Sequence, residues 1–188
     1  MVATLVALVA GGLTGTGSAQ DEKANPLTVA VLNFEEKGND LAGIGESASI
    51  LLTTFLSDNP NLILVERAEL ENILAEFELN LSGTVDQENA AKIGQLTGAR
   101  ILVTGRVFPV GKQNYLVAKI ISVETGRVFG ESAKFAGVDE LEEAVMALKD
   151  GISETLDKRG GEMFAKVETP EERLGRLKKL VEGKALPK

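Results

Sequence analysis

The hydrophobic pattern of the first half of the chain predicts two strands and three helices. A β-branched apolar run predicts a buried strand at Leu27–Phe34, and a shorter run predicts a second strand at Leu62–Val65. Apolar residues at helical spacing predict helices over about 41–57, 66–79 and 86–98. Pro60 ends the first helix and Asp86 caps the third, while residues 35–40 form a polar loop. The predicted order to this point is β-α-β-α-α.

The second half changes to a β pattern and ends in one more helix. Three strands are predicted at Arg100–Phe108, Asn114–Val123 and Arg127–Phe135. Short glycine-containing connections join them, which favours an antiparallel meander because glycine adopts left-handed turns at no steric cost. An amphipathic helix follows at 138–156, and we expect residues 158–161 (Lys-Arg-Gly-Gly) to end it. The sequence therefore predicts the α/β (α+β) class. We expect a single mixed five-stranded sheet packed with helices, in the order β-α-β-α-α-β-β-β-α, plus a C-terminal tail helix.

The tail carries one clear helix signal. Thr169 is placed to cap a helix, Pro170 takes its first position, and Glu172 follows the cap at the spacing of a capping box. These residues predict a short helix over 170–182 with a narrow apolar stripe. Because a free helix of this length is marginal in water, we expect it to pack on the body or on a partner.

The N-terminus resembles a secretory signal. An uncharged apolar run over 2–10 is followed by glycines and by the small residues Gly17-Ser18-Ala19, which favours export with cleavage near Ala19. The run is too short to span a bilayer, so we expect no transmembrane span in the mature chain. The predicted division is a signal peptide at 1–19, a linker at 20–26, an α/β domain at 27–157 and a basic tail at 158–188.

Composition excludes most catalytic chemistry. The 188 residues include neither His nor Cys, so no Ser-His-Asp or Cys-His nucleophile, disulfide, or thiolate or imidazole metal site can form. We expect no enzyme, no catalytic residue, no cofactor and no metal. The net charge of −8 argues against nucleic acid as a partner.

Charge is divided unevenly along the chain. Residues 20–157 hold 11 basic and 23 acidic side chains, whereas residues 158–188 hold nine basic and five acidic ones. The basic side of the tail helix comprises Arg173, Arg176, Lys178 and Lys179. Two interpretations stay open: a solvated helix of mixed charge, or a partner-binding arm for an acidic protein surface or, peripherally, for anionic lipid.

Three other features have ordinary structural explanations. Glu66 and Arg67 are typical of a helix start, where Arg67 can pair with Glu69 or Glu71. The acidic cluster at 139–143 lacks the ligand spacing of a calcium loop and suits the first turn of a helix. The glycines at 98, 105 and 126 are expected at turns or at points of close packing.

The segment 28–136 resembles the curli-assembly CsgG family, over about 110 of the 188 residues. Its most specific pieces are Val65-Glu66-Arg67, Leu81-Ser82-Gly83, Gly98-Ala99, Val103-Thr104-Gly105 and Val123-Glu124-Thr125-Gly126. Their order and spacing carry the resemblance, since each piece alone is weak. The same superfamily includes penicillin-binding-protein activator lipoproteins, flagellar envelope proteins and the TolB amino-terminal domain.

The resemblance implies a non-enzymatic, periplasmic or envelope protein that acts by protein–protein binding in assembly or secretion of an envelope or surface structure. The alternative is a periplasmic activator or scaffold of peptidoglycan synthesis or of the flagellar apparatus. The implied partners are other envelope proteins or further copies of the chain, as in the subunit of a ring. Lipoproteins of the family begin with a lipidated Cys, and none is present here, so we expect no lipid anchor. We also expect no membrane pore, because Lys119 and Arg127 would be costly on a lipid face.

Overall fold

The computed structural model describes residues 26–76, 87–165 and 169–183, and within them the α/β class is confirmed. The strands are β1 (Leu27–Val31), β2 (Glu35–Glu36), β3 (Leu62–Leu64), β4 (Ile101–Val110), β5 (Gln113–Ser122) and β6 (Val128–Phe135). The helices are α1 (Ile44–Ser57), α2 (Arg67–Glu76), α3 (Gln87–Thr97), α4 (Leu141–Phe164) and α5 (Pro170–Gly183). Short 3-10 turns precede α1 and α4.

The sheet is mixed, with the order β3-β1-β4-β5-β6. Strands β3, β1 and β4 run parallel, and β4, β5 and β6 form the predicted antiparallel meander. The prediction of five strands is wrong by one, because β2 pairs in parallel with β4 as a sixth strand. Two glutamates carry no apolar pattern, so this strand is set by its pairing with Arg106 and Val107 and not by hydrophobic periodicity.

Helices cover both faces of the sheet and enclose two apolar cores. The larger core is formed by α1 and α4 against β1, β4 and β5, with Leu52, Val103 and Ile152 among its fully buried residues. The smaller core is formed by α2 and α3 against the opposite face, where Leu102 and Ile93 are fully buried. The parallel half of the sheet is therefore enclosed between two helical layers, as its continuous apolar runs predict.

Helix α4 continues past its predicted end. It was expected to end at residues 158–161, but it runs to Phe164 and passes through the predicted domain boundary at 157. Tertiary contacts overcome the low helix propensity of the two glycines: Met163 is fully buried, and its carbonyl accepts a hydrogen bond from the Thr125 hydroxyl at 2.6 Å. Arg127 also donates to the Glu162 carbonyl, and the Arg159 guanidinium lies 4.0 Å from the centre of the Phe129 ring.

Several predicted features lie outside the described residues. They are the signal peptide and linker as far as residue 25, the segment 77–86 with Asp86 and Leu81-Ser82-Gly83, and residues 166–168 and 184–188. The division of the chain into domains stays a prediction. The glycine assignments are confirmed: Gly98 and Gly126 have φ of 69° and 68°, and Gly105 is a point of close packing in β4.

Candidate functional site

A polar cluster joins the ends of β1, α1 and α2 around Arg67. The Arg67 guanidinium donates to Asn33 Oδ1 at 2.7 Å and to Ser49 Oγ at 3.0 Å, and its Nε lies 2.9 Å from Glu71. Ser49 is fully buried and its hydroxyl donates to Asn33 Oδ1 at 3.0 Å. Glu46 also belongs to the cluster, with its Oε1 atom 3.5 Å from Arg67 Nη2. Each guanidinium nitrogen of Arg67 therefore has a partner in the protein.

The Arg67 cluster lies near the ends of β1 and β3, at a switch point of the topology. The helix after β1 packs on one face of the sheet and the helix after β3 packs on the other. In α/β folds, the crevice at such a switch point is the usual place for a ligand. The predicted pairing of Arg67 with Glu71 is confirmed, but the contacts with Asn33 and Ser49 were not foreseen. Because the donors are satisfied internally, the cluster fixes α1 and α2 to the end of β1. Its sequence signal is the polar Asn33, which follows the apolar run of β1.

A second surface is formed by the outer part of the sheet, on the face of the smaller core. Cross-strand register places Phe108 beside Tyr115 and Tyr115 beside Lys134, and the Phe108 and Tyr115 rings stack with centres 6.1 Å apart. Lys119 is exposed on this same face, four residues along β5 from Tyr115, and so is Val128 at 54% exposure. We call this surface the β5–β6 face. It combines exposed lysines with aliphatic and aromatic side chains.

The edge of this face carries an ion-pair group on β2 and β4. Arg106 Nε lies 2.6 Å from Glu35 Oε2, and Lys37 pairs with the other carboxylate oxygen. The Lys37 ammonium, together with Arg106, holds the pKa of the Glu35 carboxyl below its ordinary value of 4.5, against the opposing effect of burial. Glu35 thus offsets one of the two positive charges at the rim of the β5–β6 face, and Lys119 and Lys134 add exposed positive charge on the face itself.

Thr104 of β4 lies on the same face of the sheet, beside Lys119 of β5. It pairs with Lys119 across the strands, is 1% exposed, and has an Oγ1 atom with no hydrogen-bond partner. An unsatisfied buried hydroxyl costs stability, so this residue marks a position where a valine would fit better.

The predicted partner-binding residues Arg173, Arg176, Lys178 and Lys179 all lie on α5 and are exposed. The capping box is confirmed: Glu172 N donates to Thr169 Oγ1 at 3.1 Å, and Thr169 N donates to Glu172 Oε2 at 2.8 Å. Every described side chain of α5, from Pro170 to Lys179, is exposed. This part of the helix therefore does not pack on the body, and whether it binds a partner stays a prediction.

The remaining candidate residues of the described ranges form no metal site. The acidic residues at 139–143 lie in a 3-10 turn and the first turn of α4, as their pattern favours. Among the described residues no three His, Cys, Asp or Glu side chains are grouped so as to hold a metal ion. None of the helices in the described ranges has both the length and the apolar character needed to cross a bilayer.

The architecture defines an α/β domain with a mixed sheet, in which β1, β2, β3 and β4 pair in parallel and β4, β5 and β6 form an antiparallel meander. The family model for "Curli production assembly/transport component CsgG" matches residues 15–114, which is more than half of the chain. The protein therefore belongs to the CsgG family, and the resemblance drawn from its motifs is confirmed.

Three solved structures of low sequence identity are similar to this chain. The C-terminal domain of LpoB from Escherichia coli matches with a TM-score of 0.50 and 16% identity, covering 62% of this chain and 87% of that one. The corresponding domain from Salmonella enterica matches with a TM-score of 0.48 and 18% identity over the same shares. Lipoprotein GNA1162 from Neisseria meningitidis matches with a TM-score of 0.47 and 16% identity, covering 70% of this chain and 99% of that one. No curated protein matches.

Proposed function

We propose that this chain is an exported, non-enzymatic cell-envelope protein that binds other proteins during assembly or secretion of an envelope or surface structure. The observation that carries the proposal is the family match, since the family is described as a component of curli assembly and transport. The signal-like N-terminus supports export, with cleavage near Ala19 and a mature chain in the periplasm or envelope. The lack of His and Cys in the sequence supports a role without catalysis.

The β5–β6 face is the surface of the domain that we assign to the partner. Exposed lysines beside aliphatic and aromatic side chains suit an acidic protein surface with apolar positions at its centre. Arg106 and Lys37 share the single carboxylate of Glu35, so the rim keeps one net positive charge, which adds to the charges of Lys119 and Lys134 on this face. The proposed partner is therefore an acidic envelope protein.

The test places a photo-crosslinking amino acid at Ser132 or Val128 of the full chain, in cells of its own species. Both positions are exposed on the β5–β6 face, and Glu69 on the exposed side of α2 is the matched control. We expect an adduct with the same envelope protein from both positions, none from Glu69, and loss of the adduct when Lys119→Glu and Lys134→Glu are combined. Equal labelling from Glu69, or adducts that survive charge reversal, would contradict the assignment.

The identity of the captured partner separates the two roles under consideration. A component of a surface structure or its secretion machinery supports the leading role. A peptidoglycan synthase or a flagellar component supports instead the alternative of a periplasmic activator or scaffold. A cytosolic partner contradicts both.

A further inference from the structure

We propose that α5 of one copy binds the acidic outer face of α4 of a second copy. This inference goes beyond the proposed function and does not depend on it, because it concerns only surfaces of this chain. It starts from α5, a helix of 14 residues whose described side chains are all exposed. A helix of this length gains little stability from its own backbone, so its apolar positions call for a partner.

The binding face of α5 is defined by its helical geometry. Leu174 and Leu177 are 54% and 48% exposed and lie on one side of the helix. With ~3.6 residues per turn, Arg173 and Lys178 border these leucines on either side, whereas Lys179 lies on the opposite side of the helix. The helix therefore presents an apolar stripe between two cations.

The outer face of α4 has the complementary pattern. Met146 is 50% exposed, and the exposed carboxylates of Glu142 and Glu143 lie beside it, with Asp150, which pairs with Lys149 at 2.8 Å, one turn further along. These residues recur at intervals of three and four and so form one face, which lines a shallow depression at the surface. From Glu142 to Asp150 the face is about 12 Å long, and the segment from Arg173 to Val181 has the same length at ~1.5 Å per residue.

The structure favours a second copy over the same chain. Every described side chain of α5 is exposed, and Met146 at the centre of the acidic face of α4 is 50% exposed, so α5 does not cover the α4 of its own chain. The cations of α5 and the carboxylates of α4 are complementary in charge, and a second copy can bring the two faces together.

The experiment measures self-association of the mature full chain by sedimentation velocity at ~50 mM salt. We expect a dimer or larger species whose association constant falls about tenfold with Lys178→Glu, which is ~1.4 kcal/mol, and at least as much with Glu143→Lys. The matched control is Lys179→Glu, the same change one residue away on the opposite side of α5, with less than a twofold effect. Combining Lys178→Glu with Glu143→Lys restores association, because the two charges are exchanged. Circular dichroism checks that each variant keeps its helix content.

Three results would overturn the proposal. The first is a wild-type chain that stays monomeric up to about 200 µM, a concentration at which interfaces of even weak affinity are populated. The second is an equal fall of the association constant with Lys178→Glu and with Lys179→Glu, since the net charge of the chain and not one face of α5 would then control association. The third is failure of the exchanged pair to recover association while both parent variants remain folded.

Discussion

Replacing Gly105 with alanine should destabilise the domain strongly, because a side chain at this position of β4 would clash with its neighbours. A Cβ atom at this position would lie 2.2 Å from the Val117 carbonyl oxygen and 2.8 Å from the Phe34 ring. Phe34 is 3% exposed and belongs to the larger core, so its ring has little room to move. The β5 backbone and the core must therefore both adjust.

The magnitude follows from the cost of overpacking a well-filled core. Inserting a methyl group into such a site costs ~1–3 kcal/mol, and the upper end applies here because a backbone carbonyl cannot rotate away without breaking its ladder. The matched control is Gly130 in β6, where the Ala118 carbonyl, at 3.8 Å, would be the nearest described neighbour of an added Cβ. Alanine relieves the backbone entropy of glycine in a strand, so this variant should gain about 0.5 kcal/mol.

Urea denaturation followed by circular dichroism measures both changes. We expect Gly105→Ala to lower the unfolding free energy by about 3 kcal/mol with an unchanged slope, and the two variants to differ by roughly 3.5 kcal/mol. A Gly105→Ala variant within ~0.5 kcal/mol of the wild type would refute the packing of Phe34 over β4.

Substitutions at four further positions test individual contacts. Thr104→Val should stabilise by about 1 kcal/mol in urea denaturation, because its buried hydroxyl has no partner. Thr155→Val should instead destabilise by about 1–3 kcal/mol, because the Thr155 hydroxyl donates to Glu131 at 2.6 Å. If both variants changed the stability in the same direction, the hydrogen-bonding states given to the two hydroxyls would be contradicted. The lowered pKa of Glu35 stabilises the fold above pH 4.5 and is lost as pH falls through the folded-state value. Glu35→Gln should therefore reduce stability at pH 7, and a pH titration of unfolding should show the gap to the wild type closing below pH 4.5; a constant gap would argue against the ion pairs. Arg67→Ala should cost about 2 kcal/mol by chemical denaturation and Arg67→Lys nearly as much, since an ammonium cannot reproduce the forked contacts; full recovery by lysine would contradict this.

The sheet and the helix patterns were predictable because each follows from local periodicity. The strand at Leu27, the meander of β4 to β6 and the capped α5 all have strong signals within a few residues. The end of α4 was not predictable, because local propensity favours a break at Gly160 and only distant contacts, such as that of Thr125 with the helix end, overcome it. Strand β2 was not predictable either, because its two residues are too few to show the alternating hydrophobic pattern of a strand.

The candidate surfaces were predictable only in part. The exposed cations of α5 could be read from the sequence because a helix displays its residues at a known spacing. The β5–β6 face depends on cross-strand register, which places Tyr115 beside Lys134 although 18 residues separate them. The Arg67 cluster likewise joins Asn33, 34 residues away, and no local pattern indicates that distance.

Export to the cell envelope is the claim on which the proposed function rests, and the mass and location of the native chain test it. Mass spectrometry of the protein from fractionated cells should find a chain that begins at Gln20, recovered with the periplasm or envelope. A chain that retains residues 1–19 and is recovered from the cytosol would contradict the claim, and family membership would then describe only the fold.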